Sequence, residues 1–336
     1  MPSTVVVGGF FGDEGKGKII AYLALNDKPS IAVRGGVGPN AGHTFTIDGR
    51  AYKVRMLPSA VAYNGCRLMI GAGVLIDPDV LLNEIREFDA FNRVTIDPQV
   101  GIIEQRHKEM DKVGEHSKVI GTTGSGSGPA NSDRASRILR LAKDVETLRS
   151  LIGDVPALVN DALDRGENVL IEGTQGTFLS LYHGTYPFVT SKDVTASAIC
   201  SDVGIGPKRV DDVLVVFKAY VTRVGSGILE GELDREEAKK RGWLEIATVT
   251  GRERRAAPFN MKLAKRAVML NSATQIAVTK LDVVFPECKH VRVYEQLSND
   301  ARRFIEQIED ELKVNVTLVG TGEEVYDMID RRSDRD

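Results

Sequence analysis

The chain has 336 residues, 42% of them hydrophobic and 27% charged, with a formal net charge of −3. That length makes one large domain or two with an ordinary globular composition, and the near-neutral charge leaves no strong basic field for nucleic acid. No apolar run is long enough to cross a membrane, and Cys66, Cys200 and Cys288 are too scattered for a metal motif or a disulfide framework. Met1-Pro2-Ser3 leads straight into the first apolar run, so no signal peptide and a cytoplasmic location are expected.

Residues 4–7 read as a buried strand and residues 19–25 as a helix. Between them lies Gly8-Gly9-Phe10-Phe11-Gly12-Asp13-Glu14-Gly15-Lys16-Gly17-Lys18. A glycine-rich turn entering a helix aims backbone N–H groups at one point, where the helix dipole favours an anion. Gly12, Gly17 and Lys18 match the phosphate-loop spacing G-x-x-x-x-G-K, but Ile19 stands where a metal-binding Ser or Thr belongs. Asp13 is an awkward neighbour for a polyphosphate unless it holds a metal or takes a proton from a second substrate.

A second strand, 30–34, ends in a glycine-rich loop, 35–44, that carries His43, a candidate acid or donor to phosphate. Strand segments 45–47 and 51–55 flank Asp48-Gly49, a hairpin signal. A strand at 67–70, a helix at 80–88 capped by Asp77-Pro78-Asp79, and short strands at 94–96 and 100–103 follow. Residues 121–129 form a Gly/Ser/Thr loop suited to an anion or a sugar. A helix over 130–142 then places Arg134, Arg137 and Arg140 three apart on one face. Helical stretches at 145–152 and 157–164 precede a strand at 167–171, which ends in Glu172-Gly173-Thr174-Gln175-Gly176-Thr177.

A buried strand at 213–217, a solvated helix at 235–241, an arginine-rich turn at 248–255 and a helix at 261–272 continue the alternation. The strand 275–278 ends in Thr279-Lys280-Leu281-Asp282, resembling the guanine-specificity element of GTPases, in which a carboxylate accepts from guanine N1–H and N2–H₂. A helix capped by Ser298 runs to Leu312, and 314–319 is read as the last strand, turning at Gly320-Thr321-Gly322. The whole reads as an α/β fold with a central, mostly parallel sheet flanked by helices.

Seven stretches together resemble the adenylosuccinate synthetase family. They are residues 12–18, Asn40-Ala41-Gly42-His43-Thr44, Gly121-Thr122-Thr123-Gly124, residues 172–176, residues 183–191, Thr250-Gly251-Arg252 and Thr279-Lys280-Leu281-Asp282. The motifs span nearly the whole chain, whose length looks like the compact form typical of archaea. The resemblance implies one large domain over 1–336, with a P-loop-like GTP-binding architecture and inserted subdomains. It implies a ligase of AMP biosynthesis that joins L-aspartate to IMP, with GTP giving GDP and phosphate through a 6-phosphoryl intermediate.

Under that resemblance Asp13, His43 and Lys16 are catalytic. Gly12, Gly15, Lys16, Gly17, Lys18, Gly42, His43, Thr44, Lys280, Asp282, Gly320, Thr321 and Gly322 meet GTP. Asp13, Asn40, Thr123, Arg137, Gln175, Thr190 and Arg252 meet IMP, with Arg137 reaching across a homodimer. Thr248, Val249, Thr250, Gly251, Arg252 and Arg254 form the aspartate loop, and Asp13 with the Gly42 carbonyl holds Mg²⁺.

The chain departs from the family pattern at Phe10-Phe11 (usually Gln-Trp), at Ser125 and Ser127 (Arg and Ile in the common bacterial form), at Glu253 within the arginine run, and at Glu323 (usually Pro). Two other functions compete. A phage-type relative joins aspartate to dGMP, but usually lacks an acid at the position of Asp13. A GTP-binding switch is suggested by the phosphate loop, but is disfavoured by Ile19 and the His43 loop.

Overall fold

The computed structural model describes residues 3–114, 119–247 and 251–335; Thr248, Val249 and Thr250 of the expected aspartate loop lie outside them. The strands are β1 (Ser3–Gly8), β2 (Ile31–Arg34), β3 (His43–Ile47), β4 (Arg50–Val54), β5 (Arg67–Ile70), β6 (Leu75–Ile76), β7 (Val94–Ile96), β8 (Gly101–Ile102), β9 (Val169–Glu172), β10 (Asp212–Lys218), β11 (Tyr220–Arg223), β12 (Arg255–Pro258), β13 (Gln275–Thr279), β14 (Val316–Gly320) and β15 (Met328–Asp330).

Nine of them form the central sheet in the order β15-β14-β13-β10-β1-β9-β2-β5-β7. All neighbours are parallel except β15, which runs antiparallel to β14. Parallel strands are covered on both faces, which explains why β2, β9, β10, β13 and β14 are buried along their whole length. Alternate side chains feed two cores. Val5 and Val7 of β1 join one, with Val215 and Ile171, while Val6 joins the other, with Leu170 and Val216. The helix Lys16–Asp27 packs with the second core. The helices Val155–Asp164, Ala196–Val203, Met261–Asn271 and Asn299–Leu312 pack with the first. The last of these buries Ala301, Ile305, Ile308 and Leu312, a single helical stripe, and the Ser298 hydroxyl caps it by accepting from Ala301 N–H at 3.3 Å.

Three expectations need correction. The helix expected over 130–142 runs instead from Ser127 to Ala135, so Ser127, the last hydroxyl of the loop, belongs to its opening turn. Asn131, Ser132 and Asp133 are weak helix formers, and Leu139 is drawn off into a small core with Leu75, Ile103 and Ala130. Arg137 has φ +65° beyond the helix end, so Arg134, Arg137 and Arg140 share no helix face. His43 and Thr44 open β3 rather than ending a loop. The strand at Val316–Gly320 is not the last: β15 follows it, three residues that pair, among the described residues, with β14 alone and whose shortness hides any periodicity.

Candidate active site

β1 and β9 lie side by side, β2 flanks β9 and β10 flanks β1, so four carboxyl ends open onto one crevice where chain order reverses, the usual ligand position in α/β sheets. Three of these strands end on a charged residue: Arg34, Glu172 and Lys218. The loop after β1 is braced from within. Glu14 accepts from Phe10 N–H at 2.9 Å and Gly12 N–H at 2.8 Å, and pairs with Lys16 Nζ at 3.0 Å. Gly15 takes φ +82° at the helix N-cap, and a Cβ on Gly17 would sit 2.9 Å from that of His43. Lys16 also donates to the Gln175 carbonyl, tying this loop to the one after β9. Ile19, the misfit to the phosphate-loop pattern, is wholly buried in the core.

The crevice is a cleft of about 420 Å³. It is lined by Asp13, Asn40, Gly42 and His43, by Thr123 and Gln175, and by Thr190, Arg252 and Arg254. Every residue expected to meet IMP is therefore in one place except Arg137, which is exposed and outside the lining. Asn40 Nδ2 donates to Thr190 Oγ1 at 3.3 Å, and Arg252 Nη2 donates to the Gly121 carbonyl at 2.8 Å. Thr123, Ser125 and Ser127 form a hydroxyl ladder along the wall, at 2.8 and 3.2 Å, where the bacterial pattern has Arg and Ile. Phe10 packs among Phe217 and Phe259 in the core, while Phe11 lies 4.5 Å beneath the Arg223 guanidinium. Burial holds that guanidinium down to about 10, and neighbouring Arg255 adds to the effect.

His43 Nδ1 sits between Arg34 Nη1, 2.8 Å away, and a Glu172 carboxylate oxygen. Burial first, then the Arg34 charge, holds the imidazole down to about 4 despite Glu172. The single carboxylate is already claimed by an arginine that never deprotonates, so the ring stays neutral. In a neutral ring Nδ1 either donates to Glu172 or accepts from Arg34, and only the second tautomer leaves Nε2–H as a donor. Burial disfavours the Glu172 charge, but Arg34 beside it and the Ser59 N–H that donates to it hold the carboxyl below its usual range.

Asp13 pairs with Arg254 Nη2 at 2.9 Å through Oδ1, while Oδ2 is buried without a partner among the described residues. Burial pushes its carboxyl up, opposed by Arg254 and Lys218. A raised value makes a better base.

A second cluster lies at the ends of β13 and β14. Lys280 follows β13 with φ +59°, and Asp282 keeps a buried Oδ1 with no partner among the described residues. Lys18 Nζ donates to the Gly322 carbonyl at 2.8 Å and the Asp327 carbonyl at 2.7 Å, binding the first loop to the turn at Gly320-Thr321-Gly322. Burial lowers Lys18 to about 8, with Asp327 and Asp282 opposing. Lys18 of the first loop and the Asp282 carboxylate are thus neighbours.

Comparison with known proteins decides the family. The family model of adenylosuccinate synthetase matches residues 5–141 and 138–293. The adenylosuccinate synthetase of Methanocaldococcus jannaschii is 56% identical over 335 residues, 98% of this chain and 97% of its own length. That of Archaeoglobus fulgidus is 53% identical over the full length of both chains. The chain belongs to the adenylosuccinate synthetase family.

A solved structure described as the fully ligated adenylosuccinate synthetase of Plasmodium falciparum superposes with a TM-score of 0.92 at 26% identity, over 98% of this chain and 99% of that one. The succinoaminodeoxyadenylate synthetase of cyanophage S-2L, solved with dGMP and dATP, gives 0.80 at 25% identity, over 98% and 95%. Members of the family need a divalent metal. The residues fit one held largely by phosphate oxygens: Asp13 offers a buried carboxylate oxygen with no partner, and among the described residues no three acidic, His or Cys side chains gather into a metal cage.

Sequence reasoning gave no role to Glu14, Arg34, Glu172, Lys218, Arg223 or Glu245, although several stand inside its motifs. The available signal was a charge closing an otherwise apolar strand: such a residue is buried, and a buried charge needs a partner.

Proposed function

We propose that the chain joins L-aspartate to IMP, with GTP as phosphoryl donor, giving adenylosuccinate, GDP and phosphate. The observation that carries this is the cleft itself: a buried acid with a free oxygen, a neutral histidine, Gln175 and two arginines line it at the carboxyl ends of β1, β2 and β9. Asp13 takes the N1 proton of IMP, and O6 attacks the γ-phosphorus as GDP leaves. His43, in its Nε2–H tautomer, donates to a phosphate oxygen. The aspartate amino group then attacks C6, and phosphate departs with O6. Lys16 and Lys18 steady the loop that faces the GTP phosphates with Gly12, Gly15, Gly17, Gly42 and Thr44, while Lys280, Asp282 and the Gly320-Thr321-Gly322 turn receive guanine. Arg252, Arg254 and the 248–251 loop receive aspartate.

Asp13 and the Gly42 carbonyl would hold Mg²⁺, which when bound offsets phosphate charge. Arg137, exposed in one chain, serves the IMP of a second chain in a homodimer. The 336 residues act as one domain, and the enzyme works in the cytoplasm. Among the described residues no helix is long and apolar enough to cross a membrane.

Phosphate release with GTP and either IMP or dGMP, with and without aspartate, tests the reading. Release that needs both IMP and aspartate supports it. A preference for dGMP identifies the phage-type reaction, which the acid at Asp13 disfavours, and steady turnover without aspartate identifies a GTPase.

A further inference from the structure

The segment carrying the aspartate loop is closed at its base by a backbone pair. Arg254 N–H donates to the Glu245 carbonyl at 2.9 Å, and Ile246 bridges Glu253 in antiparallel fashion. The same two residues are joined again by their side chains, through Arg254 Nη1 and Glu245 Oε2. Glu245 is itself fixed to the sheet region. Lys218 Nζ at the end of β10 reaches Oε2 at 2.7 Å, and the Tyr220 hydroxyl on β11 donates to Oε1 at 2.5 Å. Both anchors are buried, Lys218 at 1% exposure and Tyr220 at 0%.

A guanidinium is planar, so fixing one arm fixes where the other edge faces. With Nη1 turned to Glu245, Arg254 presents its Nε and Nη2 edge. Nη2 meets Asp13 Oδ1 at 2.9 Å, and Nε is buried without a partner among the described residues. Arg254 lines the cleft. An Nε/Nη2 edge is a two-point receptor for a carboxylate. Here it is half used, by one oxygen of Asp13.

We propose that Glu245 is a positioning residue for the amino-acid substrate: it holds Arg254 by one arm so that the Nε/Nη2 edge stays open to a carboxylate in the cleft. The proposal rests on the reading that Arg254 receives aspartate. Without the Glu245 charge, Arg254 turns towards Asp13, the other carboxylate it touches, and closes the receiving edge on the enzyme itself. Lys218 and Tyr220 serve the same end by keeping Glu245 in place.

The test is steady-state kinetics of Glu245→Gln, Glu245→Asp, Arg254→Leu and the Glu245→Gln/Arg254→Leu double variant, varying each substrate in turn. Displacing a substrate-positioning group by about 1 Å costs up to ~100-fold. Glu245→Gln is expected to raise the KM for aspartate by roughly 10- to 100-fold, with the KM values for IMP and GTP within about twofold of wild type. Glu245→Asp keeps the charge and raises it less. In the double variant the glutamine adds nothing beyond Arg254→Leu, because the arm it guided is gone.

A KM for aspartate unchanged in Glu245→Gln but raised in Arg254→Leu overturns the positioning role alone. Equal losses in Glu245→Asp and Glu245→Gln, or a loss spread over all three substrates, also overturn it, since that pattern marks a structural defect. An unchanged aspartate KM in Arg254→Leu overturns the aspartate reading of Arg254, and the proposal with it.

Discussion

Replacing Glu172 by Gln removes one negative charge from the most enclosed polar cluster of the site and changes almost no volume. Glu172 has no exposed surface; it pairs with Arg34, lies against the His43 ring, and accepts from Ser59 N–H at 2.6 Å and Ser59 Oγ at 2.9 Å. Glutamine keeps one acceptor oxygen, but its amide turns two N–H donors towards a site already crowded with donors. Arg34, 1% exposed, is left a buried cation that keeps two neutral neighbours, the Arg55 carbonyl at 3.3 Å and the His43 ring.

Breaking a buried pair in this way costs about 3–5 kcal/mol, a large share of the ~5–15 kcal/mol that keeps a protein folded. Urea unfolding of wild type, Glu172→Gln, Arg34→Met and the double variant measures it. The double variant should be more stable than the sum of the single losses predicts, because removing both charges leaves neither unpaired. The folded-state carboxyl lies below its usual range. The charge therefore stabilises the protein above the unfolded value of about 4.3, and that advantage disappears as pH falls through the lower folded value. A Glu172→Gln loss under about 1 kcal/mol at neutral pH, or strict additivity with Arg34→Met, would refute the reasoning.

Asp13→Asn keeps the shape but not the proton acceptor, so turnover should fall by ~10²–10⁴; near-normal turnover would remove Asp13 from the base role. Asp282→Asn should weaken GTP use and admit xanthosine triphosphate, whose O2 accepts from the new amide; a wild type that uses ATP as readily as GTP would displace the guanine site from the ends of β13 and β14. Arg137→Leu and Asp13→Ala, each weak alone, should regain activity when mixed, up to about half of wild type per mixed dimer, because one site then carries neither defect. No recovery after proven subunit exchange would place Arg137 outside the partner's site.

What was legible in the sequence was whatever local chemistry dictates. The turn after β1, the Asp48-Gly49 hairpin and the Ser298 cap were all readable because glycine geometry and capping act over a few residues. The strands at 213–217 and 275–278 were readable because strands covered on both faces must be apolar throughout. The helix at 130–142 misled because its three-residue arginine spacing is helical, whereas Leu139 answers to a core built by Leu75 and Ile103, more than thirty residues upstream in each case. The site motifs named residues that line the cleft but not the charges that hold them. Glu172, Lys218 and Glu245 find their partners only when β9, β10 and the segment leading to residue 248 come together. No spacing rule encodes that encounter.

The central claim is that IMP is activated by phosphoryl transfer to its own O6. The direct measurement uses IMP labelled with ¹⁸O at position 6, in a complete reaction with GTP and L-aspartate, and reads the label in the products by mass spectrometry. The account predicts that the label leaves with inorganic phosphate, one atom for each adenylosuccinate formed. Unlabelled phosphate, with the label released as water, would contradict it.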